Sequence, residues 1–184
     1  MYVVQQRPPA RENTVIIRPA TRADLPGILE IYNEAVLNTT ASADYEPQTL
    51  DARTVWFDSH VRENYPIFVA EAKDGRVVGW SSLSQYQPRV GYRFTAEDSV
   101  YVAADRRGQG IGKQLMPPLI EAAQQCGLHS ILGRISADNT PSLELHASFG
   151  FEPVAQLHQV IYKFGRWIDL IYMELLLDTE ATRR

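Results

Sequence analysis

The chain of 184 residues has one cysteine, no long apolar run and no surplus of positive charge. Each scarcity excludes something. A single cysteine, Cys126, cannot form an internal disulfide or supply a multi-cysteine metal cage. At the end of a helical pattern it is expected to be simply buried. No stretch approaches the roughly 20 apolar residues that span a bilayer. The start, Met1-Tyr2-Val3-Val4-Gln5-Gln6, has no basic segment followed by an apolar run, so no secretory signal is expected. A net charge of −4 offers no broad basic field for nucleic acid or an anionic membrane. A polyanionic ligand has to be held locally. The expected setting is cytoplasmic, with no metal, nucleic-acid or membrane partner.

What is present is an ordinary globular composition, 45% hydrophobic and 22% charged, at a length suited to one domain. Residues 1–13 lack periodicity and read as a flexible arm, 14–178 as the domain, and 179–184 as a tail. Val15-Ile16-Ile17 predicts a first strand. Leu25, Ile28, Leu29, Tyr32, Ala35 and Val36 recur at helical spacing. Thr49 can cap a second helix carrying Leu50, Val55, Trp56, Phe57 and Val61, which ends before Pro66. Ile67–Ala70 and Val77–Trp80 flank an Asp74-Gly75 turn and predict a hairpin.

A strand from Phe94 to Val102 then runs through a glycine-rich turn into a helix with the core face Ile111, Leu115, Leu119, Ala122 and Cys126, stopped at Gly127. Pro117-Pro118 interrupts it, which costs about 3 kcal/mol and predicts a bend. A buried strand at Ile131–Ile135, a short helix at Ser142–Phe149 and strands from Phe151 and Trp167 follow. Helices fall between strands without regular alternation. That predicts an α/β fold on a mixed, mostly antiparallel sheet flanked by helices.

The most informative segment is Val100-Tyr101-Val102-Ala103-Ala104-Asp105-Arg106-Arg107-Gly108-Gln109-Gly110-Ile111-Gly112-Lys113. A strand meets three glycines at alternate positions and a helix begins at once. Glycines permit a sharp turn, and a helix N-terminus favours an anion such as a phosphate. Taken alone, such glycines can equally make only a tight connection. Two phosphate motifs are excluded by spacing. A Walker loop needs four residues between its glycines and Ser or Thr after the lysine, and a dinucleotide fingerprint needs its third glycine three positions after the second.

Arg107-x-x-Gly110-x-Gly112 resembles the pyrophosphate-binding motif of the GNAT superfamily of N-acetyltransferases. Asn139-Thr140-Pro141-Ser142, followed by Leu143 to Phe149 and Gly150-Phe151, resembles that family's later segment. Ile31-Tyr32-Asn33, Val55-Trp56-Phe57, Val78-Gly79-Trp80, Thr95 to Val102 and Lys163 to Asp169 narrow the resemblance to the phosphinothricin and methionine sulfoximine acetyltransferase branch, over Ile16 to Leu177. The resemblance implies acetyl-CoA as donor, a small amino acid or analogue as acceptor, and a homodimer. It implies cofactor contacts from Val100, Tyr101, Val102, Arg107, Gly108, Gln109, Gly110, Ile111, Gly112, Lys113, Asn139 and Ser142. It makes Glu97 the general base and gives His146 a proton for the leaving thiolate. On residues alone, a single histidine on an apolar helix is more often structural than catalytic.

The strand before the turn alternates: Arg93, Thr95, Glu97, Ser99 and Tyr101 share one face, and Asp98 breaks the apolar one. That break predicts a bulge, a device common beside active sites. Arg89, Tyr92, Arg93, Asp98 and Ser99 are the expected acceptor-binding residues, since an arginine fork suits a carboxylate or phosphinate. The sequence departs from the sulfoximine enzymes at Gln87, where they carry an arginine. Trp56, Trp80 and Trp167 are expected in the core or at a dimer contact. Acetylation of another amine, such as a peptide N-terminus or a polyamine, and acyl-CoA sensing without turnover are the competing readings.

Overall fold

The computed structural model describes residues 14–178; the expected arm and tail lie outside them. The chain runs β1 (Val15–Pro19), α1 (Leu25–Asn38), α2 (Leu50–Glu63), β2 (Ile67–Ala72), β3 (Val77–Gln85), β4 (Thr95–Val102), α3 (Ile111–Gln125), β5 (Ser130–Ser136), α4 (Thr140–Ala147), β6 (Glu152–Lys163) and β7 (Arg166–Leu176). Seven strands form one sheet in the order β1-β2-β3-β4-β5-β7-β6. Every pairing is antiparallel except β4 with β5, because α3 crosses over between them. Among the described residues no helix is long and apolar enough to cross a membrane.

Local chemistry sets the element ends. Thr49 Oγ1 accepts from the Ala52 amide at 3.2 Å and starts α2. Asn139 caps α4 by accepting from the Ser142 amide; that helix starts at Thr140 and ends at Ala147, a little earlier than the sequence suggests. Gly127, at φ 71°, follows α3 in the left-handed conformation. The strand β3 has two faces. Gly79, Ser81 and Leu83 meet α3: a Cβ on Gly79 would lie 3.1 Å from Ile111, Ser81 Oγ donates to Leu115 O, and Leu83 packs with Met116 and Leu119. Trp80, on the other face, packs with Leu25, Ile28 and Phe57 of α1 and α2.

Of three expectations here, one holds and two need correction. First, α3 continues through Pro117 and Pro118, as its apolar period implies. The carbonyls that lose amide partners belong to Lys113 and Gln114, residues on the exposed side, where water can replace the missing donors. Second, its buried row is Ile111, Leu115, Met116, Leu119 and Ala123. Continuing in steps of four to Ala123 keeps the row against the sheet, which leaves Ala122 at its margin and Cys126 exposed at the helix end. Third, β4 has no bulge against β3; the register is continuous from Gly79↔Val102 to Gln85↔Ala96.

The irregularity lies on the other edge of β4. Its ladder with β5 has three pairs, Thr95↔Ser130, Ala96↔Ile131 and Glu97↔Leu132, and stops. Beyond Glu97, β4 stays with β3 and β5 stays with β7. The sheet parts into a wedge at the carboxyl ends of two parallel strands, where open α/β sheets hold their ligands.

Candidate active site

Two cavities flank this wedge. One, of about 900 Å³, is lined by Val100, Val102, Arg106, Arg107, Gly108, Gly110, Ile111, Gly112 and Lys113, with α4 opposite. Gly108 and Gly110 adopt φ 72° and 79°, and no protein atom lies within 4 Å of where their Cβ atoms would be. Their backbone conformation, and not crowding by the protein, demands glycine, and the space beside them is free for a ligand. Gly110 is the N-cap of α3 and no side chain caps that end, so its first amides are available to an anion. Gly112 serves packing: a Cβ there would stand 3.1 Å from Leu145. Arg107 bonds Val102 O and forms an ion pair with Glu34. Gln109 turns back to Asp105 O at 3.1 Å and lines neither cavity.

The other cavity, of about 540 Å³, is built from distant pieces: Tyr32, Asp44, Arg53, Trp56, Trp80, Ser82, Glu97, Asp98, Ser99, Gly133, Arg134 and His146 among them. Side chains from outside the loop hold its wall at residues 40–42. Tyr101 Oη donates to Ala41 O at 3.1 Å, Ser136 Oγ to Thr40 O at 2.6 Å, and the buried Lys163 Nζ to Ser42 O at 2.6 Å. Thr40, Ala41, Val100, Tyr101, Asn139 and Ser142 line both cavities, so the two meet across the open edge of β4.

Glu97 is half-buried in the second cavity, with Oε1 2.6 Å from Arg134 Nη2. Burial raises its pKa above the ordinary carboxylate value; Arg134 pulls the other way without cancelling the effect, and Asp98 adds to the rise. A carboxylate so raised is a better base at neutral pH. Next to it, Asp98 points to the opposite side and is almost fully buried. Its Oδ2 lies 2.9 Å from His146 Nε2, while His146 Nδ1 donates to Ser142 O at 2.7 Å. Burial works against the charged imidazole, but Asp98 and Ser142 outweigh it and hold the His146 pKa above its ordinary value.

The expected residues therefore divide. Glu97, Asp98, Ser99 and His146 share the second cavity, with Asp98 committed to His146. The glycine turn, Arg107, Lys113, Asn139 and Ser142 line the first. Arg89, Tyr92 and Arg93 do not line either. They are exposed around a short turn before β4, with Arg93 over the Phe94 ring at 4.3 Å and Tyr92 edge-on to Tyr86. Sequence reasoning missed Arg53 and Arg134, and it assigned Trp56 and Trp80 to packing although both also form the cavity wall. Trp167, by contrast, is exposed. No local motif marks the missed residues; only the paired strands and α2 bring them together.

A glycine turn thus opens a helix beside a parted sheet, and a half-buried carboxylate of raised pKa lies in the adjoining cavity. The family model for the acetyltransferase (GNAT) domain matches residues 17–172. The chain is 49% identical over 162 residues to the L-methionine sulfoximine/L-methionine sulfone acetyltransferase of Pseudomonas paraeruginosa, covering 88% of this chain and 94% of that one. It is 44% identical to the L-amino acid N-acyltransferase of Escherichia coli, over 88% and 94%. The fold is similar, at a TM-score of 0.87 and 34% identity, to a GNAT superfamily phosphinothricin acetyltransferase from Sinorhizobium meliloti solved in complex with acetyl-CoA, covering 91% of each chain. The chain belongs to the GNAT acetyltransferase family, and it is an N-acetyltransferase.

Proposed function

We propose that this enzyme, with residues 14–178 as its catalytic domain, transfers an acetyl group from acetyl-CoA to the amine of a small amino-acid-like acceptor by direct attack. The observation that carries the reading is the junction of the two cavities at the open edge of β4, with Glu97 beside it. The free amides of α3, with Arg107 and Lys113, would hold the pyrophosphate, and Asn139 and Ser142 the arm that follows. When bound, acetyl-CoA supplies a thioester whose carbonyl is open to attack by an amine.

An α-amine has a pKa of about 8 and is mostly protonated at neutral pH. Glu97 takes that proton, directly or through a water, and frees the lone pair. The β4 amides near Val100 to Val102, past the last β5 pairing, suit the developing oxyanion. The Asp98–His146 pair lines the acceptor cavity and is our choice for the proton that the departing thiolate needs. Arg89, Tyr92 and Arg93 precede the strand that carries Glu97 and would act at its outer end on the acceptor's side chain.

The relatives that act on methionine sulfoximine, methionine sulfone or L-amino acids support this acceptor class over a polyamine or peptide terminus. A homodimer in the cytoplasm completes the reading. The exposed apolar side chains Val154, Val160, Tyr162, Phe164 and Trp167 on the β6–β7 hairpin form the surface such a dimer would cover.

The test is thiol release from acetyl-CoA across a panel of amino acids and analogues, with the Glu97→Gln variant beside the wild type. Loss of a general base typically costs about 10²–10⁴-fold in turnover. We expect kcat to fall in that range while acetyl-CoA affinity, measured by calorimetry, stays within a few-fold. A variant with wild-type kcat across neutral pH removes Glu97 from the mechanism, and no release with any amino acid removes the acceptor class.

A further inference from the structure

Buried polar side-chain atoms nearly always have hydrogen-bond partners, so exceptions call for an explanation. Among the described residues six such atoms have none, and five belong to residues lining the acceptor cavity: Arg53 Nε and Nη2, Trp80 Nε1, Ser82 Oγ and Asp98 Oδ1. Four of these five can donate a hydrogen bond. Arg53 stands out. It is 2% exposed, and its guanidinium lies 4.2 Å from the Tyr32 ring centroid and 4.6 Å from that of Trp56. The carboxylates in the cavity wall are engaged elsewhere: Glu97 with Arg134, Asp98 with His146, and Asp44 with the Tyr32 hydroxyl. Cation–π contacts cover the faces of a guanidinium but leave its edge donors unsatisfied. A buried cation without an anion is costly to keep.

We propose that Arg53, with Ser82 and Trp80, is the anion subsite of the acceptor cavity and takes the carboxylate of the amino-acid substrate. The proposal rests on the acceptor class named above and adds the residue that selects it. A planar carboxylate matches the two free guanidinium donors of Arg53, Nε and Nη2, which lie on one edge. Ser82 is paired with Ser99, two residues beyond Glu97 on the same face of β4. A carboxylate held there leaves the adjacent α-amine on the Glu97 side. Burial disfavours the charged guanidinium and lowers its pKa; a bound carboxylate would reverse that penalty. The subsite is distinct from the exposed Arg89 and Arg93, which would be left to the far end of the acceptor.

The experiment compares kcat/KM for L-methionine sulfone and for its carboxamide in wild type, Arg53→Met and Arg53→Lys. Methionine fills similar space in the aromatic box without donors. Losing a charge-assisted pair should lower kcat/KM for the acid ten- to hundredfold in Arg53→Met, mainly through KM, and leave the carboxamide within about threefold. Arg53→Lys, which keeps the charge and loses the fork, should fall between. Acetyl-CoA affinity should not change. If acid and carboxamide fall together, or neither falls, Arg53 only packs and the proposal is wrong. Should Arg53→Met fail to fold, the acid-to-carboxamide ratio in Arg53→Lys decides: an unchanged ratio overturns the subsite. Wild-type enzyme that acetylates no amino acid overturns the acceptor class itself, whereas turnover with a ratio insensitive to Arg53 overturns the subsite alone.

Discussion

The two cavities are built in opposite ways. The one at the glycine turn draws its chemistry from a few consecutive residues, Arg107 to Lys113, whose backbone would do the binding proposed above. The proposed acceptor cavity draws on α1, α2, β3, β4, β5, α4 and the loop after α1, and there side chains would do the work. A backbone site depends on conformation, so it tolerates changes in side chains but not in φ. A side-chain site can be retuned one residue at a time, provided each buried charge keeps a partner.

That contrast can be broken first at Gly110. Its φ of 79° suits glycine, and a β-branched residue there is strained whatever the space. Gly110→Val should weaken acetyl-CoA binding by about ten- to hundredfold, or roughly 1.4–2.8 kcal/mol, while the fold persists, because no neighbouring atom is crowded. Calorimetry with acetyl-CoA, alongside a melting curve, checks this. An unchanged affinity would mean that the turn only connects β4 to α3.

In the acceptor cavity the expected disturbances are electrostatic. Asp98→Asn removes the charge that sustains the His146 imidazolium. A histidine whose folded pKa is raised above its ordinary 6.5 contributes stability that is fully present below that value. The contribution is lost as pH rises through the raised one. The stability gap between wild type and Asp98→Asn, read from melting curves, should thus be largest in mild acid, about 3–5 kcal/mol, and should narrow above neutrality. A gap that widens with pH would reverse the assigned charge state of the pair.

Arg134→Gln should give a smaller change. Arg134 is the group that pulls the Glu97 pKa down against burial. Without it the pKa rises further, and the acidic limb of the kcat/KM profile should move to higher pH. The plateau above the limb should survive if Arg134 only tunes the base. A limb that moves to lower pH, or not at all, would detach Glu97 from the pH dependence.

The same contrast explains what the sequence made legible. Element types and the glycine turn followed from short-range patterns: the 3.6-residue period in α1, the Thr49 cap and the spacing of Gly108, Gly110 and Gly112. Glu97 came from strand alternation together with family resemblance. Arg53 and Arg134 stayed hidden because each is one cation among 18 Lys and Arg residues, and only α2 packing and the β5 register bring them into the cavity that Glu97 lines. The role of Asp98 was misjudged for a related reason. A polar residue on an apolar face looked like a bulge, but its partner, His146, lies 48 positions away. Cys126 was misplaced because a helix's last turn can leave the sheet before the apolar period ends.

The parting of β4 from β5 after three pairs also bears on the order of events. A sheet that stays closed would separate the two cavities by a wall of paired backbone. Opened beyond Glu97, it would let donor and acceptor each have a mouth of their own while their reactive ends share one gap. Both ligands could then be seated together, as the direct transfer proposed above requires. The lone thiol, Cys126, stands at the far end of α3 from the glycine turn, where it is of no use as a relay.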